Sequence, residues 1–167
     1  FHLLLNCWGI YVFGKDVENA LGKRLFFILY FTSGVAGGLL QVLASLGMRG
    51  HFGVSVVGAS AGLFGLIAPF AMMYPNRTLT LLLFFVIPVS VQAKVLLMVA
   101  GAIAVFGMLF PGDNVAHAAH LGGILAGMVV MRQMRDRNGQ WPGERLKPGG
   151  RILLGVEQGK PSKLGVS

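Results

Sequence analysis

The chain is short of charge. Only 12% of its 167 residues are Asp, Glu, Lys or Arg, roughly half of the ~25% usual in a soluble domain. Acid is scarcest, with six Asp and Glu against 14 Lys and Arg. With 54% hydrophobic residues and a mean hydropathy of +0.70, these proportions exclude an ordinary water-soluble globule. They indicate a polytopic membrane domain followed by a tail. The net charge of +8 raises nucleic acid as a partner, but eight of the 14 basic residues lie from Arg132 onward. Nowhere do aromatic and basic residues interleave as they do in single-strand binders, so no nucleic-acid partner is expected. The single cysteine, Cys7, excludes an internal disulfide. It sits among apolar residues, where packing is its expected role. Phe1 opens inside an apolar run without Met or flanking charge, so the chain is expected to be a piece whose N-terminal part is missing.

What the chain does have is long apolar runs. Phe1 to Phe13 is apolar apart from His2 and Asn6, and 14–24 is a polar stretch expected to be a loop. Leu25 to Leu46 carries no charge and is long enough for a full span. Val54 to Tyr74 is the next span, closed by Pro75, Asn76 and Arg77. Thr78 to Phe110 is too long for one crossing and is interrupted by Pro88, Ser90, Gln92 and Lys94. Charge decides how to divide it. If only 91–110 crosses and 78–90 lies at the interface, thirteen of the 14 basic residues fall on one side: three in 14–24, two in 75–94 and eight in the tail. Two crossings would split them four against ten. Basic residues in short flanking segments stay cytoplasmic, so the single crossing is preferred. The last span is 116–131. The expected organisation is therefore all-α: a transmembrane domain over 1–131 with spans at about 1–13, 25–46, 54–74, 91–110 and 116–131. A basic, Gly- and Pro-rich, disordered cytoplasmic tail over 132–167 follows it. The cluster at Arg132, Arg135 and Arg137 has two readings, contact with anionic lipid and a topology anchor, of which the anchor is preferred.

Against this apolar background the polar side chains stand out. Ser60 is the one strongly polar residue between Val56 and Ala71, and it lies between Gly58 and Gly62. Glycines at that spacing let another helix approach closely. A lone membrane serine is ordinarily helix-to-helix glue. Here it has company. Counted from the outer loops, Ser60 and His120 both lie about 10–12 Å down their helices at 1.5 Å per residue. His2 and Asn6, four residues apart on one helical face, occupy the outer part of the first helix. Four hydrogen-bonding side chains from three helices thus share one depth.

A serine becomes a nucleophile when a neighbouring base takes its proton. Attack on an amide then creates an oxyanion that needs aimed donors, and His2, the Asn6 amide and the Ser60 backbone N–H are the candidates. No acid lies at this depth, so a Ser-His dyad is expected. Two histidines compete for the base. His117 is about 4.5 Å nearer the outer surface and better placed to meet water and the 111–115 loop. His120 is directly followed by Gly123 and Gly127, which let its helix close on the serine helix. A metal site is the competing reading of the histidines. It lacks a carboxylate and a His-Glu-x-x-His pattern, so neither metal nor cofactor is expected.

These motifs resemble the rhomboid intramembrane serine proteases. That family carries His-x-x-x-Asn on its second transmembrane helix, matched by His2 and Asn6. Its Gly-x-Ser on the fourth is matched by Gly58 and Ser60. A His ahead of Gly-x-x-x-Gly on the sixth is matched by His120, Gly123 and Gly127. Phe64 matches the aromatic that packs on the catalytic histidine. The likeness covers Phe1 to about Met131. It implies a rhomboid-like helical bundle and an endopeptidase with Ser60 as nucleophile and His120 as base. It further implies oxyanion donors at His2 and Asn6, and substrates that are transmembrane helices cut near their outer ends within the lipid bilayer. Two departures stand beside it. Ala61 replaces the usual glycine after the serine, with a methyl expected to tighten the oxyanion region, and the first helix with its Trp-Arg loop signature is absent. The alternative classes are a non-catalytic rhomboid-like protein that binds membrane clients and, more distantly, a small transporter.

Overall fold

The computed structural model describes residues 2–47, 59–83, 87–110, 115–135 and 141. The chain begins as a rod: α1 (His2–Gly9), a π-helical turn (Ile10–Gly14) and α2 (Lys15–Leu21) follow without a break. The expected loop over 14–24 is therefore helix as far as Leu21. The reason lies in the spacing: Phe13, Val17 and Leu21 recur every fourth residue and are all buried, while Lys15 faces out and Asp16 and Glu18 lie half-exposed beside it. The charges Lys15, Asp16 and Glu18, which make 14–24 look like a loop, sit on the outward faces of a continuous helix. The wide turn falls between Gly9 and Gly14, the two points of closest packing. A Cβ on Gly9 would lie 2.7 Å from Leu63 Cδ2, and one on Gly14 would lie 2.9 Å from Phe26 Cε2. The rod ends at Gly22, whose φ of 85° reverses the chain and which glycine adopts without a Cβ clash.

Helix α3 (Lys23–Gly47) is, among the described residues, the one helix both long and apolar enough to cross a membrane. Its buried stripe is Leu29, Ser33, Gly37 and Gln41, each four residues on from the last. The opposite side shows Phe27, Phe31, Val35 and Leu39 outward, an apolar surface suited to lipid. Helix α4 (Ala59–Met73) is the centre of the bundle. From Ala61 to Ala71 only Phe64 is not fully buried, as expected of a helix that is apolar on all sides. The expected span from 54 begins outside the described residues.

After a turn at Pro75–Asn76 the chain forms an antiparallel hairpin, β1 (Thr78–Leu83) and β2 (Ile87–Gln92). It brings the chain back to where it left. The Ala93 N–H donates to Arg77 O at 2.9 Å and the Lys94 N–H to Pro75 O at 3.1 Å. So α5 (Ala93–Leu109) starts at the end of the bundle where α4 stops, and it is the one described helix between 78 and 110. Helix α6 (His117–Met134) runs back to that same end and extends three residues beyond the expected boundary at 131. There Phe13, Val17, Leu21, Phe70 and Met131 form the apolar core, with the Phe13 and Phe70 rings edge-to-face at 5.3 Å. An ion pair from Arg77 to Asp16 at 3.1 Å ties the turn to α2. The remainder of the expected tail, apart from Trp141, lies outside the described residues.

Candidate active site

The site forms where α4 and α6 begin, at the end of the bundle away from the hairpin. Small residues set the approach of the helices. A Cβ on Gly123 would overlap the carbonyl of Ala61, one on Gly127 that of Gly65, and one on Gly37 that of Ala119. Helices α3, α4 and α6 therefore meet backbone to backbone, as glycine contacts permit where no hydrophobic drive holds helices together.

That proximity brings two polar side chains together. Ser60 Oγ and His120 Nε2 are 3.1 Å apart, within reach of a nucleophile-to-base hydrogen bond. One turn below Ser60, on the same face of α4, Phe64 lies flat against the His120 imidazole. The ring centroids are 4.1 Å apart and the planes 12° apart. The stack fixes the plane of the imidazole, so that Nε2 is aimed at the serine. Both Ser60 and His120 are half-buried, which limits water without closing the site. Ser60 sits in the first turn of the described part of α4.

The other predicted residues divide. Asn6 is buried at 4% exposure on α1, whose Gly9 packs on Leu63 of α4. His2 lies in α1, with its side chain outside the described residues, as is Gly58 altogether. The position of His117 nearer the outer surface suggested contact with water, and most of the 111–115 loop lies outside the described residues. His117 is buried, its ring packed against Gly107 of α5 and edge-on to His120 at 6.4 Å between centroids. Three residues rotate a helix by about 300°, and the remaining offset of about 60° from His120 carries His117 under α5. Ala61 is buried, and its methyl is seated against Gly37 of α3. Its methyl fills the α3–α4 junction. Among the described residues no three His, Cys, Asp or Glu side chains converge on a point.

One residue escaped the sequence reading. Gln41 is buried on α3, and its Oε1 accepts the Ala119 N–H at 3.2 Å. Ala119 is the third residue of α6, and Ala116 ahead of that helix offers no side-chain cap. The first N–H groups of a helix lack intrahelical partners, so α3 supplies from outside the cap that α6 lacks, next to His120. The signal was available: Gln41 is the one amide in an otherwise uncharged run, eight residues from Ser33 on the glycine-bearing stripe.

Comparison with known proteins assigns the chain to a family. Residues 1–137 match the family model described as Rhomboid domain. The chain is 32% identical over 133 residues to Rhomboid protein 1, mitochondrial, of Saccharomyces cerevisiae, an alignment covering 77% of this chain and 36% of that protein. It is 27% identical over 128 residues to the human Presenilin-associated rhomboid-like protein, mitochondrial, covering 77% and 33%. To the Putative rhomboid protease YdcA of Bacillus subtilis it is 29% identical over 129 residues, covering 77% and 58%. The chain thus spans about a third of the length of the mitochondrial relatives. No solved structure matches it.

Proposed function

Because this chain belongs to the rhomboid family, whose members are integral membrane proteins, we propose that it is an intramembrane serine endopeptidase acting through a Ser60–His120 dyad. The observation that carries the reading is the 3.1 Å separation of Ser60 Oγ from His120 Nε2, under a stacked Phe64. In this mechanism Nε2 takes the hydroxyl proton as Oγ attacks the carbonyl carbon of the scissile amide. The carbonyl oxygen becomes an oxyanion, held by the Asn6 amide, the Ser60 backbone N–H and His2. The protonated imidazole then gives its proton to the leaving nitrogen. The C–N bond breaks and leaves an ester on Ser60, and water activated by the same imidazole hydrolyses that ester. No carboxylate takes part, and the stack on Phe64 supplies the orientation that an acid supplies in a triad. The substrates are transmembrane segments of other proteins, reached within the bilayer.

Serine-directed fluorophosphonate labelling of the protein in detergent tests the reading. Wild type is expected to form an adduct that peptide mapping assigns to Ser60, and Ser60→Ala is expected to form none. Equal labelling of Ser60→Ala, or an adduct on another serine, removes the proposed nucleophile. A folded wild type that never labels favours a non-catalytic, client-binding member of the family instead.

A further inference from the structure

The hairpin β1–β2 plays no part in this chemistry. We infer that its apolar face is seated in the headgroup–acyl boundary of the surrounding bilayer, with anionic lipid headgroups as the partner of the basic residues at its base. The inference does not depend on whether the dyad is catalytic.

Three observations carry it. The strand register alternates by chemistry: Leu79 pairs with Val91 and Leu81 with Val89, while Thr78 pairs with Gln92 and Thr80 with Ser90. Because side chains alternate faces along a strand, one face is apolar and the other is polar near the bundle. On the polar face the Thr80 and Ser90 hydroxyls lie 3.4 Å apart and exposed. On the apolar face Leu79 packs against the core and Val91 is half-buried, but Val89, further out, is 41% exposed. The face therefore continues the apolar surface of the bundle outward with no described residue over it.

The second observation concerns the edges. A two-stranded ribbon is marginal alone in water, and its outer edges carry backbone groups that hydrocarbon cannot satisfy. Immersion in the acyl core is thus excluded by the edges, and full exposure is disfavoured by the apolar face. The boundary layer meets both demands, with water at the edges and acyl chain under the valines.

The third observation is charge. Arg77 and Lys94 flank the hairpin base, and both are exposed; the Lys94 ammonium donates to the neutral Asn76 Oδ1 at 3.1 Å and so keeps its charge uncompensated there. Lys23, Arg24 and Arg132 lie at the same end of the bundle, where α3 starts and α6 stops, and all three are exposed. The described acids at this end are Asp16 and Glu18, and Asp16 is already paired with Arg77. Such a surplus attracts anionic headgroups.

The test uses the full chain in a Cys7→Ser background, reconstituted in vesicles of equimolar phosphatidylcholine and phosphatidylglycerol. Val89→Cys and Ser90→Cys, one on each face, carry a bimane. The probe at 89 is expected to be quenched several-fold more by lipid bearing a nitroxide at a shallow acyl carbon than by aqueous acrylamide, and the probe at 90 the reverse. Replacing phosphatidylglycerol with phosphatidylcholine is expected to raise acrylamide access at 89 about twofold. Equal behaviour of the two sites overturns the inference, as does protection of site 89 from both quenchers, which would mean that protein covers it. No effect of phosphatidylglycerol overturns the anionic partner. The pair Val91→Cys and Gln92→Cys, nearer the bundle, repeats the test should either first variant misfold.

Discussion

Ser60 and Ser33 are both serines in apolar helices, and what each hydroxyl meets separates them. Ser33 is fully buried against Gly65 and its hydroxyl meets no hydrogen-bond partner among the described residues. Ser60 meets an imidazole held flat by Phe64. His120→Ala is accordingly expected to abolish both cleavage and fluorophosphonate labelling in a protein that still folds. His117→Ala is expected to remain partly active while losing about 2 kcal/mol of stability, because it empties a packed site under α5. Thermal unfolding in detergent, run beside a cleavage assay, separates the two histidines, and a dispensable His120 beside an essential His117 would reverse the assignment. Asn6→Ala is expected to lower turnover by about 10²–10³ with little change in substrate binding, since an oxyanion donor acts on charge that exists in the transition state. If Asn6 only ties α1 to its neighbours, the variant will unfold at lower temperature while the folded remainder cleaves normally. Gln41→Leu keeps the bulk but leaves the Ala119 N–H unpaired, a loss of about 1–3 kcal/mol.

At the scale of elements, the contacts that matter are those between glycines and carbonyls. Gly123→Val forces a branched side chain into the Ala61 carbonyl, and its cost is expected to be about 3 kcal/mol, the upper range for an overpacked interior. Labelling of Ser60 should fall with it, since the dyad spans this junction. Val35→Leu on the outward face of α3 also enlarges a side chain, by one methylene and where only lipid is displaced, and is expected to leave both thermal midpoint and labelling unchanged. Equal effects of the two would mean that the α4–α6 approach does not set the site. The elements also differ in how legible they were. The apolar runs that became α3, α5 and α6 announce themselves by length. Helix α2 did not, because a helix with one buried face in four reads as polar when its charges are counted and its spacing is not. The hairpin was legible only as a segment interrupting a run.

For the whole molecule, the arrangement of charge makes an orientation testable. The ends of α2, α4 and α6 and the starts of α3 and α5 share one side of the bundle with the hairpin. By the bias of basic residues that side is expected to be cytoplasmic. Asn19→Cys, Asp113→Cys and Gln140→Cys, each in a Cys7→Ser background, can be probed in sealed vesicles with an impermeant maleimide. Sites 19 and 140 are expected to label together and 113 from the opposite side. Labelling of 113 and 140 from one side would remove both the single crossing within 78–110 and the shared depth of the site.

Composition and spacing alone determined that this is a helical membrane protein and which side chains were exceptional in it. A polar group in a long apolar run is costly to bury, so its presence is informative without any coordinates. Counting residues along each helix also placed Ser60 and His120 at a common depth, because the rise per residue is constant. Depth along a helix, however, says nothing of azimuth. Which way a side chain turns depends on how neighbouring helices pack, and that packing rests on backbone contacts between residues distant in the chain. Only the tertiary structure could therefore put His117 under α5 and His120 on Ser60, send the Ala61 methyl into the α3 junction, and make Gln41 the cap of a helix 78 residues further along.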